Sequence, residues 1–177
     1  MSQAEIAGGA ATPPNELPSK GHRLHDFGLT SALGRHIQLS DYRGRSNLVL
    51  IFADDQWETA QLLLNMASQY AQIRNEEAEI LAVVQSSREQ AARMKEQLTL
   101  SYPVMADEDG RVHRELGAID PQGRAAAAVY VTDRFGEVFG VYRTREGQPL
   151  PTVADILDWL EFVNSQCPEC EPPEWPA

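Results

Sequence analysis

The sequence predicts an α/β fold: a three-layer α/β/α sandwich with a mixed, mostly parallel central sheet plus a hairpin strand. Three observations carry this. Two largely apolar stretches, Leu48 to Ala53 and Glu79 to Val84 (EILAVV), read as buried strands. The segments after them place apolar residues at three- and four-residue steps, the period of a helix packed by one face. Near the end, Ala127 to Thr132 and Glu137 to Tyr142 flank Asp133-Arg134-Phe135-Gly136, a hairpin in which Gly supplies the left-handed residue. Helices between strands imply parallel pairing, and the hairpin adds an antiparallel strand.

The elements follow in order. Residues 1–20 are rich in Ala, Gly and Pro without periodicity and read as a flexible arm. Arg35 to Leu39 is a short strand leading into the loop SDYRG. After the strand ending at Ala53, a helix is expected from Gln56 to about Asn75, with Trp57, Ala60, Leu64, Ala67 and Ala71 on its inner face. Asp55 and Glu58 fit its capping box as N-cap and N3. Ser87 with Gln90 caps the next helix, which places Ala91, Met94 and Leu98 on one side. Tyr102 to Ala106 is a strand ending at DEDG. Arg111 to Leu116 is a brief helix with Gly117 at its C-terminus. Thr152 with Asp155 caps a last helix whose inner face carries Val153, Ile156, Leu157, Leu160 and Val163. Residues 21–165 thus form one domain, and 166–177 are a proline-rich tail in which no further helix can form.

Composition narrows the function. The 177 residues include 26 acidic and 15 basic side chains, a net charge of −11. Nucleic acid and anionic membranes are disfavoured as partners, because both are held by basic patches. No apolar run reaches membrane-spanning length, and the N-terminus has no basic start followed by an apolar core. A cytoplasmic location is the expectation. The two cysteines, Cys167 and Cys170, are too few for a disulfide framework, and their C-x-x-C spacing points to redox or metal use.

Four segments carry a family resemblance. GHRLHDFGL resembles the G-x-x-A-P-D-F-x-L opening of redoxins, with His25 at the proline. IQLSDYRG (Ile37 to Gly44) looks like their second strand and loop. YPVMADEDGRVHRELG (Tyr102 to Gly117) and VYVTDRFGEVF resemble their later strand–helix and strand–turn–strand stretches. Taken in order, roughly residues 21–165 resemble the alkyl hydroperoxide reductase and thiol-specific antioxidant family, the peroxiredoxin-like redoxins. The resemblance implies a thioredoxin-like fold, antioxidant thiol chemistry, a thiol reductant or other protein partner, a homodimer by family habit, and no cofactor.

The family pattern is not met where its chemistry would sit. Peroxiredoxins carry Pro-x-x-x-Thr-x-x-Cys after the first core strand. On this chain Pro falls on Asp54, Thr on Glu58 and Cys on Gln61. The family's later arginine falls on Ala127, with Arg124 nearby but out of register. A thioredoxin-type Trp-Cys-x-x-Cys laid on Trp57 again puts Glu58 and Gln61 in the cysteine positions. The reaction needs a thiolate stabilised by a helix N-terminus and a cation. Gln61 cannot be that nucleophile, and Asp54, Asp55 and Glu58 add negative charge around it.

The remaining candidates each have a plain alternative. Asp54, Asp55 and Glu58 could hold a divalent cation, but helix capping explains the latter two without one. Trp57 could stack on a ligand, although such a residue more often packs in a core or pocket wall. Cys167 and Cys170 have three readings. They are a redox pair, although Glu161, Glu169, Glu171 and Glu174 would raise the thiol pKa. They are half of a zinc site completed by a second chain. Or they are structural thiols in a tail. His22, His25, His36 and His113 show no metal-ligand spacing and read as surface or loop residues. Pro172-Pro173-Glu174-Trp175-Pro176 reads as a segment that packs on its own domain or docks a partner.

Overall fold

The computed structural model describes residues 16–166. The two apolar runs are its central strands, β3 (Asn47–Ala53) and β4 (Ala78–Val84), with every residue buried. They pair in parallel from Asn47 opposite Ala78 to Ala53 opposite Val84. Burial on both faces is why neither run alternates. β5 (Val104–Ala106) extends the parallel set beyond β4. On the other side of β3, β6 (Ala128–Thr132) runs antiparallel with Phe52 opposite Ala128, and β7 (Val138–Arg143) folds back on it.

The far flank holds a strand that periodicity does not announce. β1 (Gly28–Ser31, GLTS) pairs antiparallel with both β2 (His36–Gln38) and β5. Its four residues have no apolar alternation, so it exists only because two neighbours supply hydrogen bonds. The seven-stranded order is β2-β1-β5-β4-β3-β6-β7. The sheet is therefore mixed, with β3, β4 and β5 parallel at its centre and antiparallel junctions on both flanks.

Alternate side chains divide the core. Val49, Ile51, Ile80 and Ala82 face one cluster with α1 (Trp57–Ser68), α2 (Tyr70–Asn75), α3 (Arg88–Gln97) and α5 (Val153–Ser165). Leu50, Phe52, Leu81 and Val83 face the other, with α4 (Arg111–Glu115) and the N-terminal residues Leu24 and Phe27. The capping boxes at Ser87–Gln90 and Thr152–Asp155 form as read. The expected single helix from Gln56 to Asn75 does not. It breaks at Gln69 (φ −112°, ψ 19°) into α1 and α2. The break serves a buried carboxylate: the Tyr70 hydroxyl donates to Glu79 Oε1 (2.5 Å) and Arg74 to Oε2 (2.8 Å). An anion on a core strand needs such partners.

The N-terminal arm also seats earlier than its composition suggests. The Arg143 guanidinium donates to the Pro18 carbonyl and to the Tyr130 hydroxyl. Gly21 N then donates to Val138 O (2.8 Å). No helix among the described residues is long and apolar enough to cross a membrane.

Candidate functional site

The turn from β3 into α1 is organised by Asp54. Its Oδ1 accepts from Gln56 N (3.1 Å) and Thr59 Oγ1 (2.5 Å). Its Oδ2 accepts from Ala127 N (3.1 Å), just before β6 and 73 residues away in sequence. One carboxylate thus ties the start of α1 to the next strand across the sheet end. The expected Asp55–Glu58 capping box is absent. The N-cap is Gln56, which makes no side-chain cap bond. Asp55 accepts only from the Gln56 side chain (2.8 Å), and Glu58 is exposed without a polar partner among the described residues. Asp54 organises the junction instead, without capping the helix, because it leaves the sheet one residue earlier, within reach of both Ala127 N and the Thr59 hydroxyl.

The other site positions separate into two groups. Asp54 and Ala127, which is 1% exposed, are joined directly. Trp57, Glu58 and Gln61 lie on the outer face of α1. Trp57 is 70% exposed rather than part of a core or pocket wall. Gln61 donates to Asn65 Oδ1 (3.0 Å), a neighbour on the same helix. Two surface depressions, one bounded by Leu24, Tyr42, Leu48 and Phe135 and one by Thr30, His36, Asp107 and Asp109, include none of these residues in their walls. No cluster of His, Cys, Asp or Glu among the described residues has a metal-binding arrangement. Cys167 and Cys170 lie outside the described residues, as does the Trp175 segment.

Sequence reasoning missed the most deeply buried polar pair. His113 is not a surface or loop residue. It sits in α4, fully buried, with Nδ1 2.7 Å from Asp107 Oδ2, and the same oxygen accepts from His113 N (2.8 Å). Burial pushes the Asp107 carboxyl up. The hydrogen bonds from the His113 ring and backbone, its charge, and Val112 N outweigh that, holding the carboxyl below the usual range. An ionised carboxylate only accepts, so Nδ1 carries the bonding proton. Asp107 Oδ1 and His113 Nε2 are buried without a hydrogen-bond partner, and the Phe52 ring meets the imidazole edge-on at 5.2 Å. The available signal was an aspartate at a strand end with a histidine inside the following short helix.

Residues 20–152 match the family model described as the AhpC/TSA family. This chain belongs to that family. No curated protein matches it. Among solved structures, it is similar to the peroxidoxin BcpB of Mycobacterium tuberculosis (TM-score 0.71, 17% identity, 85% of this chain and 100% of that one). It is similar also to AhpC of Enterococcus faecalis (TM-score 0.69, 21% identity, 80% and 92%). A cysteine-to-serine mutant of PrxQ from Xylella fastidiosa gives a TM-score of 0.74 at 16% identity, covering 85% and 100%. At these identities the likeness establishes the thioredoxin-like fold alone.

In this AhpC/TSA member, the side-chain groups that follow β3 from Asp54 to Gln61 are carboxylates, amides, a hydroxyl and an indole. They can accept hydrogen bonds, hold cations and stack. None can supply a thiolate. The buried donors at the junction, Thr59 Oγ1 and Ala127 N, are engaged by Asp54.

Proposed function

We propose that this is a redoxin-fold protein with a degenerate peroxidatic site, whose thiol–disulfide redox chemistry, in an antioxidant role, is confined to Cys167 and Cys170. What supports the reading is the family pattern laid on this chain, which puts Gln61 at the thiol and Ala127 at the cation, together with Asp54 engaging Thr59 Oγ1 and Ala127 N. As a dithiol pair, one of Cys167 and Cys170 attacks a partner's disulfide and expels one partner thiolate. The other cysteine then attacks that mixed disulfide, expelling the second thiolate and leaving a Cys167–Cys170 disulfide. A cellular thiol reductant would restore the dithiol.

Thiol counting under reducing and oxidising conditions, with metal analysis on the same sample, tests this. A reversible disulfide with a potential in the cytosolic range is the expected result. It would also fit the cytoplasmic location we propose. Half a zinc per chain would instead make the pair one side of a dimer-bridging site. Peroxide turnover that survives Cys167→Ser plus Cys170→Ser would sink the claim that the family position is inactive. A second reading, a non-catalytic binding or regulatory module, is favoured by one observation: Trp57 stands 70% exposed near Asp54 and Glu58 in sequence, with no hydrogen bond or ring contact among the described residues.

A further inference from the structure

The outer face of α1 is unlike the outer faces of the other long helices. α3 exposes charges of both signs, Arg88, Glu89 and Arg93; α5 exposes Asp155 and Glu161, and its half-exposed Phe162 meets the rings of Phe139 and Trp159 at 6.1 Å. The stripe along α1 is Trp57, Gln61, Leu64 and Ser68, at four-, three- and four-residue steps that put them in line. Trp57 is 70% exposed and Leu64 39%. The only charges on or leading into this helix are acidic: Asp54, Asp55 and Glu58. No Lys, Arg or His occurs between Arg45 and Arg74. An exposed aromatic with an apolar neighbour, acidic flanks and no basic group is the composition of a surface that binds a basic partner rather than of an evenly solvated helix.

Trp159 shows what a tryptophan here looks like when its needs are met. Its Nε1 donates to Tyr142 Oη (2.9 Å), and the Lys20 ammonium lies 4.3 Å from its ring centroid. Trp57 has neither kind of contact among the described residues. Its neighbours Asp55 and Glu58 supply the negative charge that would hold a cation against an indole face.

We propose that the exposed face of α1, from Trp57 to Leu64, docks a short basic segment of a partner protein, with a Lys or Arg set against Trp57 between Asp55 and Glu58 and an aliphatic side chain on Leu64. The inference rests on the binding-module reading above and does not involve Cys167 or Cys170. Size argues for a short segment rather than a second copy. Twelve residues make a helix about 18 Å long and about 10 Å across, a face on the order of 200 Å². Stable protein pairs bury roughly 800 Å² per partner.

The test uses the full chain carrying Cys167→Ser and Cys170→Ser, so that thiol or zinc chemistry cannot influence the result. The probe is an acetylated, amidated peptide of alternating lysine and leucine, followed by amide and indole NMR shifts. An alternating glutamate–leucine peptide is the control. Shifts should be confined to α1, Asp55 and the Trp57 indole, which is assigned by its loss in Trp57→Phe. Affinity should fall about ten-fold or more in Trp57→Ala and clearly, though less, in Glu58→Gln. Leu64→Glu gives a second disruption at an exposed position. Trp57→Ala should keep the wild-type melting temperature, since the side chain is exposed. The proposal is overturned by no binding, or by shifts spread over the acidic surface with wild-type affinity in Trp57→Ala. Equal binding of the glutamate peptide, or concentration-dependent α1 shifts without peptide, would overturn it too. Failure here leaves the thiol proposal untouched, because thiol counting judges that separately.

Discussion

Replacing Asp54 with alanine should destabilise the domain far more than a loop carboxylate ordinarily would. The substitution removes the acceptor for three donors. Gln56 N is exposed and can turn to water. Thr59 and Ala127 cannot follow easily, being each 1% exposed. A buried donor left unpaired costs about 1–3 kcal/mol. Two such donors, discounted because Asp54 is only half-buried and water can partly replace it, give about 3 kcal/mol. For a domain of this size each kcal/mol moves the melting temperature by about 2–4 °C, so the expected drop is about 6–12 °C. Urea unfolding of the wild type, Asp54→Ala, Thr59→Ala and the double variant measures both the total and the coupling. The two single losses should not add, since both remove the same hydrogen bond. Asp55→Ala should change stability by less than about 0.5 kcal/mol, as an ordinary surface substitution does. Strict additivity, or equal losses from Asp54→Ala and Asp55→Ala, would refute the assignment of the brace to Asp54.

Three more predictions concern the Asp107–His113 pair and Gln61. Because the folded Asp107 carboxyl is held below its ordinary value, the unfolded chain takes up its proton first as pH falls. The pair's stabilisation is therefore fully present above the ordinary aspartate pKa, and is lost as pH drops through the depressed folded value. Urea midpoints from neutral pH into acid should fall more steeply for the wild type than for Asp107→Asn plus His113→Leu. At neutral pH, His113→Ala alone should cost about 3–5 kcal/mol by leaving the buried carboxylate without its ring partner. A loss under about 1 kcal/mol would mean the carboxylate is satisfied by the backbone alone. Finally, Gln61→Cys in the Cys167→Ser, Cys170→Ser background should give a thiol that peroxide consumes no faster than free cysteine. Asp54, Asp55 and Glu58 disfavour its thiolate, and Ala127 offers no cation. Fast thiol loss in stopped-flow would show that the electrostatic argument is wrong.

The family resemblance rested on short segments in the right order, and those were legible because each is a local pattern. β3 and β4 are apolar runs. The Ser87–Gln90 and Thr152–Asp155 boxes close over three residues. The hairpin turns at Gly136, whose φ of 81° suits a residue without a side chain. Where spacing misled, a distant partner had intervened. Asp55 and Glu58 have the spacing of a capping box, yet Gln56 is the N-cap and it is Asp54 that braces the junction, because Ala127 N lies within its reach. The helical period runs on past Gln69, yet the chain breaks there for the buried Glu79. Trp57, Leu64 and Ala71 share a helical period, yet that stripe faces solvent, because the residues α1 turns to the sheet are Thr59, Leu62, Leu63 and Met66.

By itself, then, the sequence determined most of the strands and helices, where most helices start, the family to which the chain belongs, and that both thiols sit in one C-x-x-C. Only the tertiary structure decided that β1 exists, that Asp54 rather than Asp55 braces the junction, that His113 is buried against Asp107, and that Trp57 faces solvent. The division has a physical cause. Periodicity and capping involve groups a few residues apart, whose proximity the chain geometry guarantees. A hydrogen bond across 73 residues, or the burial of a histidine, depends on which surfaces the completed sheet brings together.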